Sequence, residues 1–316
     1  MSSRKNILST LKPCFYANFL VGNAPFKFLT KCQIRVIYLK NYYIAFNIID
    51  VVLVVYLLYA QYALISQENL STLMTTVIIT SHSAFSVVHF LQNSILNRFQ
   101  RFTIMKLCEK LFAIDKQLDD LQIRINYSAL MWKSIRFGTT GFTGMTIYFV
   151  FLDRMYNRRI TGNYIVYYAT IRHAFMSCLF LTCLQIITEF LDKLNENLAK
   201  QETSRSLVTK SSRIFADLSE AVKLTNRIYD YQILFSFAMT FVLMTLKLYN
   251  IIRIVSLEGE IESNAALSLL IMLSEKLILG YTSYRCMHKV ISLICYRYCV
   301  IFRSRFVLFC REKSAT

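Results

Sequence analysis

Proline and glycine are scarce: 2 Pro and 7 Gly in 316 residues. A soluble domain of this length carries more of both in its loops, so an ordinary soluble domain is disfavoured. Charge is also thin, at 17% Asp, Glu, Lys and Arg against 55% hydrophobic residues. Acidic residues are the scarcer sign, 19 against 36 Lys and Arg, which leaves a net charge of +17. Catalytic signatures are missing as well. There is no Gly-rich phosphate loop, no HExxH and no GxSxG, so the residues give an enzyme no support. His82 and His89 lie seven apart without a neighbouring carboxylate, which suits polar contacts in a bundle better than a metal site.

What the chain does have is apolar residues in blocks. Six stretches read as membrane spans: Tyr42–Ile65, Leu70–Leu96, Phe137–Leu152, Ile160–Thr188, Tyr231–Ile252 and Ser263–Tyr284. About 20 apolar residues in helical form cross the hydrocarbon core, and only helices or closed barrels satisfy their own backbone there. The fold class is therefore all-α, a multi-pass helical membrane protein with about six spans. No signal peptide is visible, and span one serves as the insertion signal. In a soluble protein the excess of positive charge would point to nucleic acid. Here it reads as basic segments held at the cytoplasmic face, with the bilayer and not nucleic acid as partner.

The chain divides into a basic N-terminal segment, 1–41, in which Pro13 and Pro25 are expected to break any long helix; a bundle, 42–284; and a basic tail, 285–316, lying along the inner face. Two long charged connections interrupt the bundle, at 97–136 and 189–230. In the first, Leu107, Leu111, Ile114, Leu118, Leu121 and Ile125 alternate by four and three, either the core face of a helix or an oligomer seam. In the second, Ile214, Leu218, Ala221, Thr225 and Ile228 form one face of an amphipathic helix that feeds straight into span five. Gly138, Gly141 and Gly144 fall on one side of span three, where small residues let helices approach closely.

Orientation follows from Lys and Arg in the connections. The N-terminal segment, the two long connections and the tail together hold 29, and the three short links hold 3, so the N-terminus and both long connections are expected in the cytosol. The sequon at Asn69 then falls outside, close to the bilayer, and the one at Asn126 inside. None of the nine cysteines lies in an outer link, which argues against a structural disulfide framework. Cys295 and Cys299 are one turn apart without a second pair or a nearby His pair, too little for a zinc site. No metal or cofactor is expected.

Charges inside the spans are costly in lipid and mark cavities or partners. They are Asp50, Arg172, Lys247 and the Glu275–Lys276 pair. Tyr164, Tyr168, Arg172 and Phe175 share much of one face in the outer half of span four, and Lys247 and Tyr249 occupy the outer half of span five. Together these six are the candidate ligand-binding residues, an aromatic-walled pocket suited to a small organic molecule. The alternative is that Arg172 and Lys247 snorkel outward or pair with Glu258, Glu260 or Glu262. On the pocket reading, Arg172→Ala alters ligand response and spares surface expression.

The stretch RIFADLSEAVKLTNRIYDYQILFSFAMTFVLMTLKLYNI, with Asp217, Leu218, Val222 and Asn226 before Tyr229, Tyr231, Gln232 and Leu234, resembles the insect gustatory receptor family. The opening LKPCFYANFLVGNAPFKF, with Leu11, Lys12, Pro13, Gly22, Pro25 and Phe26, is similar to the family's N-terminal pattern. The resemblance implies a cytosolic N-terminus and a ligand-gated cation channel, a homo- or hetero-tetramer with related subunits. By the same resemblance, small-molecule tastants open it at the plasma membrane of gustatory neuron dendrites. It also implies a pore-lining seventh span with a Thr-Tyr-x5-Gln-Phe pattern, which does not follow Tyr284 here. Two other readings stay open: a non-conducting accessory or degenerate subunit, and a six-span transporter, which would show helices broken mid-span, whereas no proline lies in any span.

Overall fold

Helices longer than a bilayer is thick dominate the architecture. The computed structural model describes residues 7–24, 26–29, 35–67, 73–155, 162–200 and 205–258, with isolated positions between 273 and 288. The elements in order are α1 (Ile7–Leu20), β1 (Phe26–Leu29), β2 (Arg35–Tyr38), α2 (Lys40–Gln67), α3 (Leu73–Asp120), α4 (Tyr127–Met155), α5 (Gly162–Lys200) and α6 (Arg205–Glu258). At 1.5 Å per residue, the 48 residues of α3 and the 54 of α6 extend about 72 and 81 Å. Each is more than twice the roughly 30 Å hydrocarbon core. Neither contains proline or glycine, so nothing in the backbone stops them where the apolar block gives way to charge. The charged connections 97–136 and 189–230 are thus largely continuations of span helices. Among the described residues, Lys40–Ala60 and Tyr167–Leu198 are long and apolar enough to cross a membrane.

The main core sits in the charged halves of the bundle. Leu107, Leu111, Ile114 and Leu118 of α3 are buried against α6, whose Ile214, Leu218, Ala221, Thr225 and Ile228 are buried in return. The four–three seam is therefore spent within one chain, as a core face. Phe180, Leu184, Ile187, Phe190, Leu191 and Leu194 of α5 complete this core.

Polar groups flank it. Lys110 Nζ reaches Asp217 Oδ1 at 3.0 Å and Glu220 Oε2 at 2.7 Å, Lys106 reaches Glu220 Oε1 at 2.8 Å, and Gln117 donates to Asp217 Oδ2 at 2.9 Å. The two carboxylates raise the Lys110 pKa, and the two lysines hold Glu220 down at about 2. Burial pushes the Cys108 thiol on the same seam up to about 12. The Tyr127 hydroxyl, raised first by burial, donates to Asp115.

Two helix ends share one cap. At the end of α3, Ile123 N donates to Leu118 O (2.9 Å) and Gln122 N to Asp119 O (2.8 Å), with Gln122 at φ 58°. At the end of α1, Asn23 N donates to Asn18 O (2.8 Å) and Gly22 N to Phe19 O (3.0 Å), with Gly22 at φ 78°. Both are Schellman caps, whose first residue past the helix must be left-handed. Asn126 caps α4, its Oδ1 accepting from Ala129 N at 3.1 Å, which gives that sequon's asparagine a structural role.

The N-terminal segment departs from expectation. Pro13 stands inside α1 and does not end it. Ile7, Leu8, Leu11, Cys14, Phe15 and Asn18 are buried along one side of α1 against α4 and α5, and this packing offsets the backbone bond that proline removes. The two short antiparallel strands, paired Phe26 with Tyr38 through Leu29 with Arg35, were not legible in the sequence. So the described part of 1–41 packs onto the bundle. Its helix runs antiparallel along α5, with Cys14 beside Thr182, Asn18 bonded to Phe175 O and Asn23, just past the helix, bonded to Arg172 O, while Thr10 bonds to Tyr127 O at the start of α4. The tail 285–316, apart from His288, the Glu275–Lys276 pair and the site of the missing seventh-span pattern lie outside the described residues.

Candidate functional site

Three elements meet at Arg172. It lies ten residues into α5, about 15 Å from that helix's start, and is 1% exposed. Asp50, ten residues into α2, is also buried and accepts a hydrogen bond from Arg172 Nη1 in an ion pair. Arg172 Nε donates to Asn23 Oδ1 at 3.0 Å, while Asn23 Nδ2 donates back to the Arg172 carbonyl at 2.6 Å. The guanidinium carbon lies 5.5 Å from the ring centres of both Phe90 and Tyr168, within cation–π range. Tyr168 also donates to Val21 O at 3.2 Å and stacks on Phe90.

The positive charge of Arg172 is thus neutralised on the spot. The partner is Asp50. A guanidinium so engaged anchors the turn after α1 to α2 and α5.

Gly22 explains how the turn fits. A Cβ there would run into the Phe46 ring of α2, and Tyr42, one turn earlier, donates to Phe19 O and stacks on the Phe19 ring at 4.2 Å.

A second cluster lies between α4 and α5, toward the ends joined by their short link. Phe142 stacks on Phe175 with ring centres 6.2 Å apart, and Thr146 Oγ1 lies 2.8 Å from the Tyr167 hydroxyl. Thr146 donates its own proton to Phe142 O at 2.8 Å, so Tyr167 is the donor in the pair. Gly138, two turns before Thr146, lets α4 come close to α5, since a Cβ there would sit 3.3 Å from Cys178 Sγ.

Of the six residues proposed from sequence, the structure brings Tyr168 and Arg172 together. It places Phe175 on the neighbouring α4–α5 contact. Tyr249 is exposed on α6, in company with Phe241, Leu248 and Ile252, and does not join either cluster. Tyr164 and Lys247 lie within α5 and α6, and their side chains are outside the described residues. Sequence reasoning missed Asn23, Phe90, Phe142, Thr146 and Tyr167. It flagged Asp50 as an intramembrane charge without pairing it. An acid inside span one and a base inside span four, two spans that enter from opposite sides, was the available signal. Chemically, a neutral ion pair, aromatic faces and one hydroxyl pair can bind and position a ligand; none is a nucleophile beside a base.

A family model described as 7tm Chemosensory receptor matches residues 11–309. The chain belongs to that family. The match begins inside α1 and spans every described helix, so the receptor's N-terminal helix is part of the family pattern. Among curated proteins none matches the receptor. Membership makes it a membrane-embedded chemoreceptor of a family that is not an enzyme family.

Proposed function

We propose that this receptor is a subunit of a ligand-gated cation channel opened by small-molecule tastants, working as a homo- or hetero-tetramer in the plasma membrane of gustatory neuron dendrites. The observation that carries the ligand reading is the α4–α5 cluster of Phe142, Phe175 and the Thr146–Tyr167 hydroxyl pair. It lies beside an arginine whose charge is already spent on Asp50. Such walls suit a neutral organic molecule with an apolar body and one hydrogen-bonding group. Lys247 and Tyr249 of α6 join the ligand site only if that helix, from the same or a neighbouring subunit, closes over it.

Ligand binding shifts a closed–open equilibrium only through different affinity for the two states. The unbroken α3, α5 and α6 give a stiff path from the site to the charged halves of the bundle. The test is ligand-evoked cation current in cells expressing the receptor alone and with related subunits. Tastant-evoked current whose half-maximal concentration rises about tenfold in Tyr167→Phe or Phe142→Ala, at unchanged surface amount, supports the reading; about tenfold corresponds to one lost contact of roughly 1.4 kcal/mol. Surface-expressed protein with no current under either condition overturns the channel and leaves a non-conducting accessory receptor.

A further inference from the structure

The α1–α5 contact contains two thiols that no ligand or channel role uses. Cys14 Sγ lies 3.7 Å from Cys178 Sγ, van der Waals contact between residues 164 apart in sequence. Both are free and buried, at 6% and 4% exposure. Each has an oxygen acceptor for its proton. Thr182 Oγ1 is 3.2 Å from Cys14 Sγ and already donates to Cys178 O at 2.8 Å, so the Cys14 thiol donates to it. The Cys178 thiol donates to Ser134 O at 3.8 Å.

We infer that Cys14 and Cys178 form a reversible disulfide that latches the N-terminal helix onto α5 when the cell meets peroxide. A disulfide needs the sulfurs at about 2.05 Å, a closure of roughly 1.7 Å that rotation about the two side chains can contribute to. Hydrogen peroxide oxidises one thiol to a sulfenic acid, its O–O bond breaking and one water leaving. The second thiol then displaces the hydroxyl as another water, the S–O bond breaks and the S–S bond forms. Two thiols give up two electrons and two protons, and peroxide becomes two waters.

Burial sets the selectivity. Peroxide is neutral and close to water in size, whereas glutathione is a charged tripeptide that must bring a thiolate to the sulfur. The latch therefore closes more readily than a cytosolic thiol reopens it. Closed, it holds Asn18 and Asn23 in their bonds to α5. Cys108 and Cys183 lie in the same core and provide internal controls. The latch does not depend on channel activity.

The test uses membranes carrying the full chain, exposed to hydrogen peroxide, blocked with N-ethylmaleimide, denatured, digested and analysed by mass spectrometry. A peptide pair linked through Cys14 and Cys178 is expected at least tenfold above any other pair. It should vanish in Cys14→Ser and in Cys178→Ser and persist in Cys108→Ser and Cys183→Ser. Glutathione should reverse it at least tenfold faster after denaturation than in intact membranes. Recovery of Cys14 and Cys178 unlinked, or of Cys14 linked chiefly to Cys183 or Cys108, overturns the proposal. The wild-type linkage decides the matter even if a variant fails to fold.

Discussion

Arg172 illustrates how burial changes what a residue is expected to do. Taken as a pocket wall, it would be dispensable for folding. Enclosed with Asp50 and Asn23, it is part of a pair whose members depend on each other. Removing one partner strands the other charge away from water, at about 3–5 kcal/mol. Arg172→Ala and Asp50→Ala should therefore each lower the melting temperature in detergent and sharply reduce surface receptor, in place of the spared expression that the sequence suggested. Arg172→Leu with Asp50→Leu should recover much of the loss, because no charge is left stranded. Surface amounts equal to wild type in both single variants would refute this anchoring role. Gly22 carries a sharper constraint. Its φ of 78° suits glycine, and a Cβ would meet the Phe46 ring. Gly22→Ala should cost about 1–3 kcal/mol, read as a lower melting temperature, and Phe46→Leu in the same chain should relieve part of it. Lack of any such relief would mean that the backbone angle alone sets the cost.

At the scale of elements, the α3–α6 pair is where stability concentrates. Ile114 is fully buried on the seam, and Ile114→Ala should cost about 2–5 kcal/mol through lost burial and the cavity left behind. A melting temperature unchanged by that substitution would contradict the packing. The flanking ion network makes a prediction about acid. Lys106 and Lys110 hold Glu220 at about 2, below its ordinary value of 4.5. A depressed carboxylate stabilises the folded chain above the unfolded value, and that contribution is lost as pH falls through the folded one. The melting-temperature difference between wild type and Glu220→Gln should hold from pH 7 to 5 and shrink only between about 4.5 and 2. Because the Glu220 side chain is partly open to solvent, added salt should shrink it too. A difference already gone at pH 5.5 would contradict this pairing.

This seam was legible in the sequence because heptad-like spacing survives in a single chain: Leu107 to Leu118 and Ile214 to Ile228 mark their faces without help. The caps were less so. Gln122 occupies a left-handed position that sequence assigns to glycine or asparagine, and α1 contains a proline that packing overrules. Arg172 was visible as an anomaly, but its partners lie 122 and 149 residues away, and only the course of α1 against α5 brings them together.

The whole molecule combines these into a statement about orientation. Helices α3 and α6 are each too long for the bilayer by more than half their length, and their surplus is the half that carries Lys106, Lys110, Asp217 and Glu220. Placing that half in lipid would cost about 2.5–3.5 kcal/mol for each charge at mid-bilayer, so it lies in water on one side. The charge bias of the sequence, 29 Lys and Arg in the N-terminal segment, the two long connections and the tail against 3 in the short links, assigns that side to the cytosol. Asp50 and Arg172, roughly 15 Å from the starts of helices that enter from opposite faces, then sit near mid-depth as a neutral pair. The outcome to expect is that an epitope tag before α1, or one between Lys200 and Arg205, is reached by antibody only after permeabilisation. A tag between Met155 and Gly162 should be labelled on intact cells. The reverse pattern would move the α4–α5 aromatic cluster to the cytosolic side and remove it as a site for external tastants. Labelling of both sets on intact cells would mean mixed insertion, and the charge bias would then be too weak to orient this chain.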